Sequence, residues 1–216
     1  YALVPLAAFV GALLSVLLVL LIAERTGAAK ITLVLAGVAV SGILSAGIDT
    51  IVTFWPDALN GYSDFRIGSL ANLTMPRIAP AFWVVLIALA LLFTLTNELD
   101  VLMLGQETAH SLGLKTGRMR VLLLALAAAL AGAAVSFVGL IGFVGLIVPH
   151  ALRRLVGGEN RTLLPLSMLG GALFVLICDT IARTIIMGEI PISIVTSVLG
   201  APYLIYLLRT NRQVSV

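Results

Sequence analysis

Long apolar runs separated by short polar connections dominate this chain. Each run approaches the roughly 20 residues that an α-helix needs to cross a hydrocarbon core at about 1.5 Å per residue. The apolar residues are continuous and do not alternate with polar ones, which favours helices over the strands of a membrane barrel. We therefore predict an all-α, polytopic membrane helix bundle with about seven spans, at residues 3–23, 31–55, 79–97, 119–137, 141–156, 162–187 and 190–208.

Composition supports an integral membrane protein. Of the 216 residues, 61% are hydrophobic and 11% are charged, and the mean hydropathy is +1.17. These values exclude a soluble globular domain, and a net charge of +3 is too small to indicate a nucleic-acid partner. The single cysteine, Cys178, lies inside an apolar run and excludes an intramolecular disulfide. We expect residues 1–216 to form a single membrane-spanning domain, embedded in the lipid bilayer.

Lys and Arg are distributed unevenly between alternate connections. Ten of the 13 basic residues fall on one side of the predicted membrane and three on the other. Because positively charged connections stay cytoplasmic, we predict a cytoplasmic carboxy terminus and a first residue, Tyr1, outside the cytoplasm. Tyr1 stands directly at an apolar run without the features of a signal peptide, so we expect a fragment of a longer protein. The ten are Arg25, Lys30, Lys115, Arg118, Arg120, Arg153, Arg154, Arg161, Arg209 and Arg212; the three are Arg66, Arg77 and Arg183.

A polar, amphipathic segment at residues 99–117 separates the third and fourth apolar runs. Helix-forming residues interrupted by Gly105 and ended by Gly113 predict two short helices lying at a membrane surface. Glu107 and His110 form the pattern Glu-x-x-His, which also occurs in carboxylate-bridged metal sites. Because the chain offers no second ligand cluster, we predict no metal site.

Ionisable residues inside apolar runs are costly, so each is a candidate for function. Asp179 and Arg183 are four residues apart, the spacing at which an acid and a base meet on one helix face and neutralise each other. Asp49 lies toward the outer end of the second run. The last run contains Ser193, Thr196 and Ser197, which suit either the lining of a pathway or contacts between helices.

Glycines are dense at residues 132–145, before Pro149 and His150. A phosphate-binding loop would need a preceding strand and a Lys followed by Ser or Thr, which this segment lacks, so we predict close helix packing instead. The sequence contains neither a nucleotide-binding motif nor a recognisable catalytic arrangement. We therefore predict a protein that is not an enzyme and has no ATPase site of its own.

Several short motifs, in their order and spacing, resemble the permease subunits of bacterial ATP-binding-cassette importers for iron-siderophores, haem and cobalamin. The resemblance covers essentially the whole chain, which would form the carboxy-terminal two-thirds of such a subunit. The motifs are LAGVA at residues 35–39, GSL at 68–70, LGQETAHSLG at 104–113, GFVGLIVPH at 142–150, DTIAR at 179–183, EIPISIVT at 189–196 and LGAP at 199–202.

The resemblance implies a ten-helix permease with both termini cytoplasmic, of which this chain would supply helices four to ten. It implies a second permease subunit, as a homodimer or a heterodimer, around a translocation pathway in the bacterial cytoplasmic (inner) membrane. It also implies two ATPase subunits that use ATP and Mg, and an extracytoplasmic binding protein that delivers the ligand. No cofactor is expected to bind the permease directly. Among the ligands, we place an iron-siderophore before haem and cobalamin.

The resemblance also implies roles for particular residues. Residues 99–117 would contain the coupling helices that bind the ATPase. Arg183 would pair with an acidic residue of the binding protein, oriented by Asp179, and the cytoplasmic gate would lie near Lys30 and Ile31. The expected coupling residues are Leu102, Leu104, Gly105, Glu107, Ala109, Ser111, Leu112 and Gly113, and the expected pathway residues are Ser193, Thr196 and Ser197.

Two other classes remain as alternatives to an importer permease. An ion-coupled secondary transporter would depend on intramembrane acids, for which Asp49 and Asp179 are the candidates. A membrane-embedded enzyme would need clustered ligands or a nucleophile, and Glu107 with His110 is its only starting point.

Overall fold

The computed structural model describes residues 3–25, 30–57, 65–70, 73–184 and 190–211, and this part of the chain contains α-helices and no strand. The helical architecture follows from the apolar runs, because a helix satisfies its own backbone hydrogen bonds in lipid. The main helices are α1 (Leu3–Arg25), α2 (Lys30–Phe54), α3 (Met75–Thr94), α4 (Thr96–Met103), α5 (Gln106–Ser111), α6 (Thr116–Val138), α7 (Val144–Val156), α8 (Asn160–Thr184) and α9 (Ile192–Asn211).

The predicted number of seven membrane spans is not confirmed. Three of the described helices are long and apolar enough to cross a membrane, at Ile31–Phe54, Thr116–Val138 and Asn160–Thr184. Helices α3 and α4 would count as a fourth if they form one span bent by 59°. The fifth predicted run is the clearest difference, because α7 has 13 residues and is only about 20 Å long.

The chain divides into two compact units. The first comprises Tyr1–Ser63 and Leu73–Phe137, and the second comprises Asp64–Asn72 and Val138–Val216. The second unit therefore includes a short piece of the connection between α2 and α3. The predicted single domain thus has two internally packed parts.

Small residues allow close helix contacts in the first unit. Helix α1 packs against α2, and Ala36 and Val40 of α2 are buried. A Cβ atom on Gly132 of α6 would lie 3.0 Å from the Cβ of Ala12 in α1. The close packing predicted for Gly132 is confirmed, since no larger side chain fits there without displacing α1.

The second unit is built from α7, α8 and α9. Helix α8 packs against α7 so closely that a Cβ on Gly170 would lie 3.1 Å from side-chain atoms of Val148 and Leu152. Helix α9 contacts both of the other helices. Cys178 of α8 is fully buried, as expected for a small residue in this core.

Backbone hydrogen bonds attach residues 65–70 to the start of the second unit's main segment. The Ser69 N–H donates to the carbonyl oxygen of Val138 at 2.9 Å, and the Leu140 N–H donates to that of Phe65 at 3.2 Å. These bonds satisfy backbone groups that have no helical partner. The short piece is therefore an integral part of the second unit.

Glycine is required at two positions of this junction. Gly68 has a φ of +61° and Gly139 has a φ of +79°, a region that other residues rarely adopt. A Cβ on Gly68 would overlap the carbonyl oxygen of Leu140, and one on Gly139 would overlap that of Phe65. Both the backbone angle and the available space therefore exclude a side chain.

Candidate functional sites

Two short helices occupy most of the predicted segment 99–117. Helix α4 begins at Thr96, inside the predicted third span, because the chain bends by 59° between α3 and α4. Thr96 is buried at the bend, and its hydroxyl donates to the carbonyl oxygen of Phe93 at 3.1 Å. Gly105, with a φ of +108°, separates α4 from α5.

Helix α5 ends in a glycine-dependent cap. The Leu114 N–H donates to the carbonyl oxygen of Ala109 at 3.0 Å, and the Gly113 N–H donates to that of His110 at 3.0 Å. This pair of bonds is the Schellman motif, which needs a left-handed residue at the position of Gly113, whose φ is +85°. The cap fixes the direction in which the chain continues toward α6.

Two of the predicted coupling residues are exposed apolar side chains. Leu104 and Leu112 are each 64% exposed, and Met103 beside them is 52% exposed. Ala109 lies fully buried between these exposed positions and anchors α5. No role is predicted for Met103 from the sequence, although its position next to Leu104 in an apolar stretch could have indicated one. Of the remaining predicted residues, Leu102 is half-buried, and Gly105, Glu107, Ser111 and Gly113 are exposed.

Exposed leucines on a short helical segment form a surface that a partner protein can cover. Each buried leucine side chain gains about 1.5–3 kcal/mol when it leaves water. The backbone around Leu104 and Leu112 is held by Gly105 and by the Gly113 cap. The apolar surface is therefore presented on a defined scaffold. Below we call residues 102–114 the coupling segment.

Asp179 and Arg183 form the ion pair that their spacing predicts. The Arg183 Nε–H donates to Oδ2 of Asp179 at 2.9 Å, near the end of α8. The Arg183 side chain remains 46% exposed, whereas that of Asp179 is 23% exposed. The carboxylate therefore orients the guanidinium, which still presents much of its surface to an approaching acidic group.

The three predicted pathway residues of α9 have different environments. The Ser193 hydroxyl donates to the carbonyl oxygen of Ile67, within the second unit. Thr196 is fully buried, and its hydroxyl donates to the carbonyl oxygen of Ser193 at 3.1 Å. A role of Thr196 in a pathway stays a prediction. Ser197 is half-buried.

The predicted gate residues lie at the start of α2. Lys30 is the first residue of the helix, and its side chain lies outside the described part of the chain. Ile31 is 73% exposed. Its apolar side chain is therefore available to lipid or to another protein segment.

The Glu-x-x-His pattern of residues 107–110 lies on helix α5. Glu107 and His110 are both exposed on α5. Among the described residues, no group of three or more His, Cys, Asp or Glu side chains is placed to hold a metal ion.

Long apolar helices define a polytopic helical membrane protein. The chain belongs to the FecCD transport family, whose sequence profile matches residues 1–210. The resemblance inferred from the motifs is confirmed. Membership in this family does not favour a secondary transporter or a membrane-embedded enzyme.

Relatives in this family are named as permeases for different chelates. The cobalamin import system permease protein BtuC of Halobacterium salinarum is 42% identical over 204 residues, which cover 94% of this chain and 55% of the relative. The Fe(3+)-citrate import system permease protein YfmE of Bacillus subtilis is 38% identical over 206 residues, which cover 95% of this chain and 62% of the relative. This chain therefore spans less than two-thirds of the length of either protein.

A solved structure has the same fold. It is described as an inward-facing conformation of a metal-chelate type ABC transporter, and it matches with a TM-score of 0.81 and 32% sequence identity. The match covers 89% of this chain and 63% of the other. This match confirms the predicted all-helical permease fold but not the predicted number of spans.

Proposed function

We propose that this chain is the carboxy-terminal part of a permease subunit in an ATP-binding-cassette importer for metal chelates. The family profile and the relatives named as permeases support the class. The observation that carries the proposal is the coupling segment, whose exposed Leu104 and Leu112 suit burial against a cytoplasmic ATPase subunit. The permease performs no bond chemistry itself.

The assembly that we propose contains two permease subunits, two ATPase subunits that use ATP and Mg, and an extracytoplasmic binding protein. It lies in the bacterial cytoplasmic membrane, with the carboxy terminus of the permease in the cytoplasm. The uneven distribution of Lys and Arg supports this orientation. An iron-siderophore is our first candidate for the ligand, followed by haem and cobalamin, which agrees with the range of chelates named among the relatives.

Motion would pass from the ATPase into the membrane through short helices joined by hydrogen-bonded turns. The backbone remains hydrogen-bonded across the bend between α3 and α4, since the Leu99 N–H donates to the carbonyl oxygen of Leu95 at 3.0 Å. On the other side, the Met119 N–H of α6 donates to the carbonyl oxygen of Lys115 at 3.0 Å. A displacement of the coupling segment therefore pulls on α3 and α6 together, which would alternate the pathway between outward and inward openings.

Charge substitutions in the coupling segment test the proposal. In the full-length subunit, Leu104→Asp and Leu112→Asp should each weaken ATPase association at least about tenfold, because a carboxylate replaces an apolar contact worth more than about 1.4 kcal/mol. The measurement is the amount of ATPase that copurifies with the tagged permease. Leu104→Met and Leu112→Met preserve the apolar surface and should retain association. Normal copurification of both Asp variants would contradict the proposed docking site.

The ion pair on α8 gives a second test, at the binding-protein side. Arg183→Glu should abolish retention of the binding protein on proteoliposomes, because the exposed cation becomes an anion. Asp179→Asn should weaken retention less, since the arginine keeps its charge and loses only its orientation. Retention should also decrease with added salt, which screens exposed charges. Unchanged retention of the Arg183→Glu variant would exclude Arg183 from the docking surface.

A further inference from the structure

Three helix ends in the second unit carry exposed arginines. Arg153 and Arg154 lie in the last turn of α7, Arg161 lies in the first turn of α8, and Arg209 lies in the last turn of α9. All four are exposed, and within the described part of the chain none of them forms an ion pair. We call these four residues the arginine cluster.

A contact between Arg154 and Tyr206 shows that the ends of α7 and α9 lie side by side. The guanidinium carbon Cζ of Arg154 is 5.8 Å from the centroid of the Tyr206 ring. A cation–π interaction at this distance attaches the arginine to α9. Arg209 follows Tyr206 by three residues and therefore shares its face of the helix. Residues 157–159 join α7 to α8, so Arg161 lies at the same end of the unit.

The charge at this end of the second unit is strongly one-sided. Its described residues contain one acid, Glu159, against the four arginines. Like charges concentrated in this way repel one another, and an anion among them would offset the repulsion. A guanidinium group binds phosphate oxygens particularly well, because its planar donors form paired, charge-assisted hydrogen bonds. The arginine cluster therefore suits a ligand that carries a phosphate.

Apolar side chains beside the arginines indicate that the phosphate belongs to a lipid. Leu155 directly follows Arg154 and is 80% exposed, and Val156 is also exposed. Contact with water is unfavourable for both side chains. At the edge of a bilayer, however, apolar side chains can reach the acyl chains while neighbouring arginines reach the headgroups. A free phosphate ion would satisfy the arginines and leave Leu155 in water.

The position of the cluster along α8 also fits the headgroup level of a membrane. Helix α8 is long and apolar enough to span a bilayer, and it begins at Asn160. Arg161 therefore lies where this helix enters the membrane. Tyr203 and Tyr206 of α9, with ring centroids 6.5 Å apart, belong to the aromatic residues that collect at this level.

We propose that the arginine cluster binds the headgroup of an anionic phospholipid in the surrounding leaflet, while Leu155 contacts its acyl chains. The phosphate would accept hydrogen bonds from Arg154 and Arg209 and so hold the ends of α7 and α9 together. An acidic surface of the ATPase is a less suitable partner, because the cluster lies where α8 enters the membrane. The inference goes beyond the importer function proposed above and does not depend on it.

Tryptophan quenching by brominated lipids tests this inference. The full-length subunit would carry Leu155→Trp as the reporter, with Trp55, Trp83 and any other tryptophan replaced by Phe. It would be placed in phosphatidylcholine nanodiscs that contain increasing fractions of brominated phosphatidylglycerol or brominated phosphatidylcholine. Bromine on the acyl chains quenches a tryptophan that the lipid contacts. The ratio of the two apparent binding constants measures the preference for the anionic lipid at this position.

We expect both lipids to quench the reporter, with phosphatidylglycerol preferred by about threefold or more. Arg154→Gln combined with Arg209→Gln should bring the ratio close to one, because the charge that attracts the headgroup is lost. Arg154→Lys with Arg209→Lys keeps the charge and should retain most of the preference. The matched control is Arg118→Gln, an exposed arginine of α6 in the first unit, which should leave the ratio unchanged.

Three results would overturn the inference. A ratio near one with the arginine cluster intact would mean that the surface contacts lipid without selecting its charge. Absence of quenching by either lipid would show that protein covers Leu155→Trp. Loss of quenching when a tryptophan-free ATPase subunit is added would assign the surface to the ATPase instead. None of these results bears on ATP-driven uptake, so the proposed importer function is tested separately.

Discussion

At the scale of single residues, glycine shows what a sequence pattern can and cannot predict. The glycine density at residues 132–145 predicts close packing, and this holds for Gly132 and Gly139. At Gly142 and Gly145, however, a Cβ would meet nothing within 4 Å. The partner of Gly139 is Gly68, distant in sequence, and such a tertiary pairing has no local signature. Composition predicts that some glycines pack closely, and the fold decides which.

Alanine at the glycine junction should destabilise the protein. Gly68→Ala and Gly139→Ala each add a strained backbone angle of order 1–3 kcal/mol and an overlap with a carbonyl oxygen. Both variants should lower the thermal unfolding temperature of the purified full-length subunit by several degrees. Gly145→Ala is the matched control, since Gly145 is helical and has space for a Cβ. Equal unfolding temperatures for all three variants would contradict the requirement for glycine at the junction.

For the small polar residues of α9, too, the sequence does not decide which of two roles each side chain has. Ser193, Thr196 and Ser197 suited either a pathway or a helix contact from sequence alone. The structure buries Thr196 completely and leaves Ser197 half-buried. A side chain that lines a pathway and one that contacts another helix have nearly the same chemistry, so only the packing of α9 can distinguish the two roles.

At the scale of elements, the apolar pattern predicts where helices lie but not where they bend. All of the predicted runs overlap a described helix. The bend between α3 and α4 falls at Leu95, where the third predicted run becomes polar, and hydropathy does not distinguish a bend from the end of a span. The two short helices at residues 99–117 were predictable, because Gly105 and Gly113 interrupt good helix formers and both adopt positive φ. Their role in binding an ATPase stays a prediction.

A contact between α7 and α9 supports a prediction about helix packing. Phe143 precedes α7 with a φ of +67°, and a Cβ on Gly200 of α9 would overlap its ring. Gly200→Ala should therefore lower the unfolding temperature by displacing the ring. Phe143→Ala should also destabilise, by less than the roughly 3–5 kcal/mol of a fully buried phenylalanine, because Phe143 is half-buried. The double variant should lose less than the sum of the two, because the smaller side chain leaves space for the new methyl group. Strictly additive losses would show that the two residues do not contact each other.

At the scale of the whole molecule, composition established the class more firmly than the number of spans. A hydrophobic fraction of 61% left an integral membrane protein as the only reasonable class. The number of crossings was not settled in the same way, because α7 is short and α3 is followed by a bend. The family was recognised from motif order, which reflects the positions of turns and contacts throughout the chain. The chain spans about 55 to 62% of the length of the relatives compared above, and transport by an assembly with partner subunits stays a proposal.

Reconstituted uptake tests the central claim most directly. The full-length subunit would be incorporated into proteoliposomes with its ATPase and its binding protein, loaded with a radiolabelled ferric siderophore, haem or cobalamin according to what that protein binds. We predict uptake that requires ATP hydrolysis, persists in the presence of a proton ionophore and is lost with Leu112→Asp. Uptake that proceeds without the ATPase and collapses with the ionophore would contradict the account and indicate an ion-coupled transporter.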